Sequence, residues 1–517
     1  MDKKIAREII DEIILRSIVD GNILDNIKRK IAKKYSIADL IPNSSILEHA
    51  KSSERDRLKI LIKKPVRTIS GVVIVAVMSK PGICPGKCIY CPQGENVPKS
   101  YTGLEPAARR GAMFEYDPYN QVMDRIKQLT AIGHATEKIE LIIMGGTFLS
   151  YATDYKVNFV KRLFDALNGV DSDTLENAKK LNETAEHRCV GLTIETRPDF
   201  CREKEIDEML LFGATRVELG VQSLSDEVFK KVNRGHTVAD VALSTKLLKD
   251  SGFKIVYHMM PGLMQKKQED IKMFETLFSD ERFCPDMLKI YPTLVIKGTK
   301  LYDMWKNGEY SPLDTKSAAD IIAHAKKKIP SYVRVMRVQR DIPKEKIDCG
   351  VENSNLREYV VRRADVLGIK CRCIRCREAG HKMLHGDKSG GNKSMCVLEY
   401  DASGSKEYFI SYEDKKNDIL YGYVRLRIVN DSFRSEFSGK MAVVRELKVV
   451  GTSLALGDDK IGAYQHKGLG VKLMARAQEI AKENGVKKIL VISAVGTKEY
   501  YRKLGYKDVG VYVGKEL

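Results

Sequence analysis

The chain has 517 residues, of which 43% are hydrophobic and 30% are charged. This length suggests about three domains, and the composition is ordinary for a soluble globular protein. The sequence has no apolar run near the ~20 residues that a membrane span needs, and its first residues lead into an amphipathic pattern. These features exclude an integral membrane protein, so we expect a cytoplasmic protein without a membrane partner.

The charge and the cysteines narrow the classes of partner and site. Lysine and arginine number 88 against 69 acidic residues, which gives a net charge of +19. A surplus of this size favours a polyanionic partner such as nucleic acid, although a basic solvated surface is the alternative. Six of the eleven cysteines fall in two tight clusters. In a chain without an export signal, this arrangement favours metal binding over disulfides.

The first domain, residues 1–65, is predicted to be a basic helical segment that binds RNA phosphates. Ile5, Ile9 and Ile13 recur every four residues with charges between them, as on one face of a helix. A cationic run follows between Lys28 and Lys34. Such a surface tracks phosphates with little sequence readout, and an ordinary solvated helix face is the alternative.

A short cysteine motif follows a predicted buried strand. Cys84, Cys88 and Cys91 are separated by three and then two residues, and the apolar run Val72–Val77 precedes them. Three thiolates this close can hold an iron–sulfur cluster and leave one iron open for a cofactor. The alternatives are a zinc knuckle without its fourth ligand or three unrelated buried thiols.

Residues 66–335 alternate short apolar runs with amphipathic segments, which predicts a parallel sheet flanked by helices. About six such units fall short of the eight of a closed barrel, so the fold class predicted here is α/β with a partial (β/α) barrel. The predicted strands are Val72–Val77, Glu140–Met144, Gly191–Glu195, Arg216–Gly220, Lys254–Met259 and Met287–Tyr291.

Glycine or polar residues end five consecutive strands of this series. Because barrel enzymes place their active sites at the C-terminal ends of the strands, we expect these residues to share a cofactor pocket. Gly145 and Gly146 would admit a ligand close to the backbone, and Glu195 and Gln222 would supply polar contacts.

A second cysteine cluster lies in a basic stretch, Val333 to about Asp387, that reads as irregular. Cys371, Cys373 and Cys376 suit a tetrahedral zinc site, and residues 336–394 are therefore predicted to be a zinc-binding linker. The fourth ligand stays open among three candidates, and free thiols on a strand are the alternative. The candidates for the fourth ligand are His381, His385 and Cys349.

The last domain, residues 395–517, begins with four alternating strands. A glycine-rich turn from Gln465 to Gly470 then opens an amphipathic helix that runs to Lys482. Such a helix entry leaves backbone N–H groups free for a pyrophosphate. A strand, Lys488–Ser493, and a helix bearing Tyr501 complete the series.

These motifs resemble known families. The last domain looks like a GNAT acetyltransferase, and residues 66–335 resemble radical S-adenosylmethionine (SAM) enzymes, whose three cysteines bind a 4Fe-4S cluster. Their fusion in this order, with Tyr101–Pro106, Glu195–Asp199 and Gln339–Pro343, resembles the catalytic subunit of Elongator. The resemblance implies a radical SAM half-barrel followed by a mixed α/β GNAT domain.

The resemblance also assigns roles to residues. It makes Cys84, Cys88 and Cys91 the cluster ligands, and it makes Lys138 a contact to acetyl-CoA from the radical domain. The resemblance also makes Tyr501 a contact to coenzyme A, and Tyr501 and Lys138 are the catalytic candidates. The zinc cysteines are not universal in the family. This chain has Cys91-Pro92-Gln93-Gly94 where the family usually has Cys-Pro-Gly-Gly. The strand expected to meet the thioester and pantetheine and the turn expected to hold the pyrophosphate comprise Glu446, Leu447, Lys448, Val449, Gln465, Gly468, Leu469, Gly470 and Val471.

The implied activity is formation of 5-carboxymethyluridine at the wobble position of tRNA, from acetyl-CoA and by SAM radical chemistry. The partner would be the anticodon loop, and a monomer and a homo-oligomer both stay open. The main alternative is a protein (histone) lysine acetyltransferase with a structural iron–sulfur domain. A tRNA-binding scaffold and a methylthiotransferase are further alternatives.

Overall fold

A computed structural model describes residues 2–39, 41–63, 71–82, 84–384, 392–450 and 468–517. The basic N-terminal segment is helical, as the sequence predicts. The Asp2 carboxylate caps the first helix by accepting from the Lys4 N–H at 2.8 Å, and the predicted isoleucines are buried. None of the described helices has the length and apolarity required to cross a bilayer. The helices are α1 (Lys3–Arg16), α2 (Gly21–Lys34), α3 (Asn43–Leu47) and a 3₁₀ helix (Ser52–Leu61).

The middle of the chain forms a seven-stranded parallel sheet whose strand order follows the sequence. The fold prediction of a partial barrel of radical SAM type is confirmed. Each strand pairs with its sequence neighbours, so all carboxyl ends share one edge. The strands are β1 (Val73–Met78), β2 (Lys138–Met144), β3 (Arg188–Thr196), β4 (Arg216–Gln222), β5 (Lys254–Met259), β6 (Met287–Ile290) and β7 (Arg334–Val338).

Helices follow most of these strands and cover the outside of the sheet. Buried residues such as Phe159, Leu163 and Phe274 pack against the strands in one apolar core. The helices are α4 (Pro106–Met113), α5 (Pro118–Ala131), α6 (Thr153–Asn168), α7 (Leu175–Asn182), α8 (Glu203–Leu211), α9 (Asp226–Lys231), α10 (Val238–Asp250), α11 (Lys267–Ser279), α12 (Lys300–Lys306), α13 (Thr315–Lys328) and α14 (Leu356–Val366).

The prediction that the chain is irregular from Val333 onward is wrong. The strand β7 adds a seventh member to the sheet, and it lies across the predicted domain border between residues 335 and 336. Arginines at two of its five positions hide the apolar run that marks the other strands. Two short helices, α15 (Ile374–Arg377) and α16 (Ala379–Leu384), follow α14.

The C-terminal part forms a second seven-stranded sheet of mixed direction, in the order β13-β14-β12-β11-β10-β9-β8. The expected strand–helix–strand–helix order is confirmed. The apolar face of α17, with Leu473, Met474 and Ala477, packs on this sheet. Its elements are β8 (Lys393–Ala402), β9 (Ser405–Asp414), β10 (Ile419–Val429), β11 (Met441–Val449), α17 (Leu469–Glu483), β12 (Lys488–Val491), α18 (Lys498–Lys503), β13 (Lys507–Val509) and β14 (Tyr512–Glu516).

Buried ion pairs join the two sheets. Arg445 of β11 donates to both carboxylate oxygens of Asp286 in the barrel domain, at 2.6 and 2.8 Å, and to Glu407 at 2.7 Å. Arg427 of β10 donates to Asp250 of α10 at 2.6 and 2.8 Å. The side chains of Arg445, Asp286, Glu407 and Arg427 are inaccessible to solvent. We call these five residues the interface ion network, and it holds the second sheet against the barrel.

Candidate active site

The loop after β1 carries the first cysteine trio to the carboxyl edge of the barrel sheet. Cys84 Sγ lies 3.7 Å from the hydroxyl of Thr147, which follows β2. Cys88 is buried, and its Sγ accepts from Arg234 at 3.3 Å. Cys91 follows one turn later, and its N–H donates to the Cys88 carbonyl at 3.2 Å. The trio therefore faces the end of the barrel at which barrel enzymes place their active sites.

Two buried arginines beside the trio fit it to a negatively charged cluster. Arg197 donates to Asp199, and its Nη1 is buried without a hydrogen-bond partner among the described residues. A Cβ on Gly86 would overlap this nitrogen, so a larger residue in the cysteine loop would displace the Arg197 side chain. Although burial opposes ionisation, Arg234 and then Arg197 lower the pKa of Cys88 below its usual value. Three thiol donors beside buried positive charge fit a negatively charged, thiolate-bound iron–sulfur group.

The predicted strand-end residues lie around the same edge. Gly145 and Gly146 have φ values of +129° and +77°, which residues with a Cβ rarely adopt. A Cβ on Gly145 would also overlap the Ser79 hydroxyl. Glu195 accepts from the Tyr101 hydroxyl at 3.1 Å, and Gln222 has a φ of +73°. Glycine backbone and polar side chains are thus available to a ligand here.

Three of the polar residues at the ends of the predicted strands lie together inside the barrel. Glu218, fully buried on β4, accepts from His258 Nε2 at 2.8 Å and forms an ion pair with Lys289. Although burial opposes ionisation, Lys289 and then His258 hold the pKa of Glu218 well below its usual range. These three residues stand inside otherwise apolar strands of a parallel sheet, and for that reason the sequence marks them as candidates for the shared pocket.

A cavity of about 1410 Å³ runs through the barrel and opens onto the second domain. Tyr101 and Gln222 line it at the cluster edge, where the strands end. At the opposite edge Lys138, the first residue of β2, lines it, and Tyr501 of the second domain faces the same space. One continuous space therefore connects the two regions for which the sequence predicts cofactors.

The glycine-rich turn begins α17 as predicted. Gly468 is the N-cap residue with a φ of +71°, and within the described residues no side chain caps the helix. A Cβ on Gly470 would lie 2.5 Å from the Tyr500 hydroxyl oxygen, so the backbone is closely approached here. The uncapped first N–H groups of this 15-residue helix fit the pyrophosphate of coenzyme A. Leu469 is buried, Val471 is half exposed, and Gln465 lies outside the described residues.

The strand β11 lies beside this turn. Its pairing with β10 is irregular, because the register shifts at a bulge between Arg425 and Leu426. Leu447, Lys448 and Val449 all line the cavity, and Leu447 and Val449 also pack on the apolar core of the second domain. Glu446 accepts from Arg425 at 2.9 Å. An open, irregular strand edge beside an apolar surface suits an extended acyl chain.

Both catalytic candidates line the cavity, where Tyr501 is buried and Lys138 is partly buried. Tyr501 is 7% exposed, and burial raises the pKa of its hydroxyl, so it stays protonated at neutral pH. Burial lowers the pKa of Lys138. The tyrosine can therefore act as a donor to an anion that forms in the cavity.

The second cysteine trio is assembled. The sulfur atoms of Cys371, Cys373 and Cys376 lie within 4.8 Å of one another, and those of Cys373 and Cys376 are 3.6 Å apart. This spacing fits the edge of a tetrahedral thiolate site, since Zn–S bonds are about 2.3 Å long. Among the described residues, neither His381 nor Cys349 joins the group. Cys349 packs near the first trio instead, and His385 lies outside the described residues.

Comparison with known families matches four segments of the chain. Residues 3–69 match the ELP3 N-terminal domain, 78–277 the radical SAM superfamily, 285–365 the radical SAM C-terminal domain, and 462–515 the GNAT acetyltransferase domain. The matched order agrees with the order of the described domains.

Relatives that match over nearly the whole chain show which family it belongs to. The tRNA uridine(34) acetyltransferase of Methanocaldococcus jannaschii is 52% identical, over 99% of this chain and 97% of that protein. The Elongator complex protein 3 of Schizosaccharomyces pombe is 42% identical, over 99% of this chain and 98% of that protein. The chain belongs to the Elongator complex protein 3 family.

A solved structure of this family agrees with the fold. The archaeal Methanocaldococcus infernus Elp3 with its N-terminus deleted is 48% identical and matches with a TM-score of 0.78. The match covers 87% of this chain and all of that structure. The radical SAM and GNAT parts expected of an Elongator complex protein 3 family member are thus both present.

Proposed function

We propose that this chain is a tRNA uridine(34) acetyltransferase that builds a carboxymethyl group on carbon 5 of the wobble uridine. The observation that carries this proposal is the cavity of about 1410 Å³ that connects the radical SAM barrel to the GNAT domain. An enzyme with two independent activities has no need of such a connection. Relatives with this activity in their names, at 50 to 52% identity, support the same conclusion.

At the cluster edge, Cys84, Cys88 and Cys91 would hold a 4Fe-4S cluster. Bound there, the cluster and SAM supply a radical that can take hydrogen from a methyl group. The buried guanidinium groups of Arg197 and Arg234 balance the thiolate charge. The residues expected to bind SAM are Gly145, Gly146, Glu195 and Gln222.

At the opposite edge, the chain's residues would hold acetyl-CoA. The uncapped turn at Gly468–Val471 binds the pyrophosphate, and β11 from Glu446 to Val449 lies along the pantetheine and thioester. Lys138 reaches the cofactor from the barrel. Tyr501 donates a proton or a hydrogen bond to the thiolate that leaves when the thioester is hydrolysed.

The proposal of a tRNA partner is based on the charge of the chain. The net charge of +19 and the basic helix α2 suit a phosphate backbone. Because the base must leave its stack to enter a cavity, a single-stranded anticodon loop is the suitable target.

The test is an anaerobic assay of the full chain with reconstituted iron, reductant, SAM, acetyl-CoA and tRNA, followed by nucleoside mass spectrometry. We expect 5-carboxymethyluridine, with one 5′-deoxyadenosine formed per modified base. An acceptor peptide replaces tRNA in a parallel reaction. Acetylated peptide without any modified uridine would favour the protein lysine acetyltransferase instead.

We also propose that Cys371, Cys373 and Cys376 bind zinc, because their sulfur atoms already converge. The purified protein is expected to contain one zinc per chain, and Cys376→Ala to lower this content at least about tenfold because three ligands become two. Metal analysis after removal of loosely bound ions measures this. The iron content should be unchanged in that variant, and equal zinc in both proteins would contradict the site.

A further inference from the structure

The edge of the barrel that faces the GNAT domain collects positive charge inside the protein. Lys138 and Arg188 are directly opposite each other on β2 and β3, and Arg216 and Lys254 are directly opposite on β4 and β5. Lys448 of β11 faces the same cavity. Like charges at directly opposed strand positions are destabilising. We call these five residues the lumen cation ring.

Little of this charge is neutralised within the described part of the chain. Glu140 pairs with Arg216, and Glu446 is hydrogen-bonded to Arg425, outside the ring. None of the other four ring members forms an ion pair, with a nitrogen–oxygen distance of 4 Å or less, with another described residue. Arg216 is 94% buried, and its Nε has no hydrogen-bond partner among the described residues. The other four ring members are partly buried, and a cluster of unpaired cations that is largely withdrawn from water is costly unless an anion joins it.

The lysines of the ring respond to this burial. Burial lowers the pKa of Lys448 to about 7 and that of Lys254 to about 8, and Arg216 contributes to both shifts by repulsion. Glu446 opposes the two shifts without cancelling them. A bound anion would restore both lysines to their charged forms.

The walls of the cavity beside the ring limit the size and chemistry of that anion. Val190, Met287 and Val444 also line the space, so apolar side chains stand next to the cations. A phosphate has no apolar part to pack against these side chains. A short carboxylate has one charged end for the cations and one apolar end for these side chains. Tyr501 lies on the same cavity, on the side of the GNAT domain.

We propose that the lumen cation ring is a binding site for the small carboxylate that thioester hydrolysis produces. In that step water adds to the acyl carbon and the carbon–sulfur bond breaks, which gives a carboxylate, a thiol and one proton. The carboxylate is either acetate or the carboxymethyl group already attached to the base. The inference rests on the proposed function, since it takes the thioester to be the substrate of the same cavity.

The test measures binding of radiolabelled acetate to the full chain by equilibrium dialysis, without SAM or tRNA. Saturable binding that unlabelled acetate displaces and neutral acetamide does not is the expected result. Lys254→Met and Arg188→Met should each weaken it at least about tenfold, the scale of one lost charge-assisted hydrogen bond. Lys272→Met, an exposed lysine of α11, is the matched control and should bind normally. A thermal melt of each variant shows that it is folded.

A second arm uses the nucleoside 5-carboxymethyluridine in place of acetate. Binding of this nucleoside alone, with the same loss in the two variants, assigns the site to the carboxylate on the base. Binding of neither probe, or equal binding by wild type and variants, overturns the proposal. The same preparations are assayed for tRNA modification, so activity without carboxylate binding rejects the ring alone, and binding without activity rejects the proposed function alone.

Discussion

Replacing Cys88 by serine is expected to abolish 5-carboxymethyluridine formation, a loss of about a thousandfold or more, as when one member of a catalytic unit is removed. Cys88 is the buried member of the trio, and its Sγ accepts from Arg234. A serine hydroxyl does not ionise at neutral pH and is a poor iron ligand, so the cluster would lose one of its three protein ligands. Iron and sulfide content, the visible absorption of the cluster and SAM cleavage measure the effect.

The matched control is Cys396→Ser, a half-buried thiol on β8 that belongs to neither trio. It should keep its iron, its SAM cleavage and its tRNA product. Normal product formation by Cys88→Ser would show that the cluster is only structural and would contradict the radical mechanism. Loss of iron in both variants would point instead to general sensitivity of the fold to cysteine replacement.

The second large effect concerns stability. Asp286→Asn should destabilise the protein by about 3–5 kcal/mol, the usual cost of breaking a buried ion pair on one side. Arg445 loses the charge to which it donates twice, and Arg425, whose Nη1 lies 3.5 Å from the same carboxylate, loses a partner as well. Denaturant unfolding and the melting temperature measure the change. Glu483→Gln, which breaks an exposed pair with Arg476, should cost about 1 kcal/mol or less.

The same variant makes a prediction about pH. Although burial opposes ionisation, Arg445 and then Arg425 lower the pKa of Asp286 in the folded protein. A lowered carboxyl pKa contributes stability that is present above the unfolded value, about 4, and is lost as the pH falls through the folded value. The stability difference between wild type and Asp286→Asn should therefore be constant near neutral pH and shrink in acid. A difference that grows in acid would contradict the assignment.

Local sequence patterns were sufficient for the two sheets and for the turn before α17. Apolar runs of strand length identified six of the seven barrel strands, because parallel strands are buried on both faces. The glycines at 145, 146, 468 and 470 stand at positive φ or at close contacts, which is why their residue type signalled a ligand. The two cysteine trios were recognisable because short spacing needs no long loop to close.

What the sequence could not show depends on contacts between distant segments. Arg197 and Arg234 meet the cysteine loop only after β3 and β4 are placed beside β1 and β2. The ion pairs of Arg445 with Asp286 join residues 159 positions apart, so no local pattern contains them. The missed strand β7 carries Arg334 toward the cavity, and this charge masked its apolar character. Functional residues inside strands therefore weaken the very pattern that predicts strands.

The interface ion network has a consequence for the independence of the two halves. Its arginines come from the acetyltransferase half, whereas Asp286 and Asp250 come from the radical half. Either half made separately would present orphaned charges and a bare apolar surface to water. The network therefore makes each half depend on the other for the balance of its buried charges.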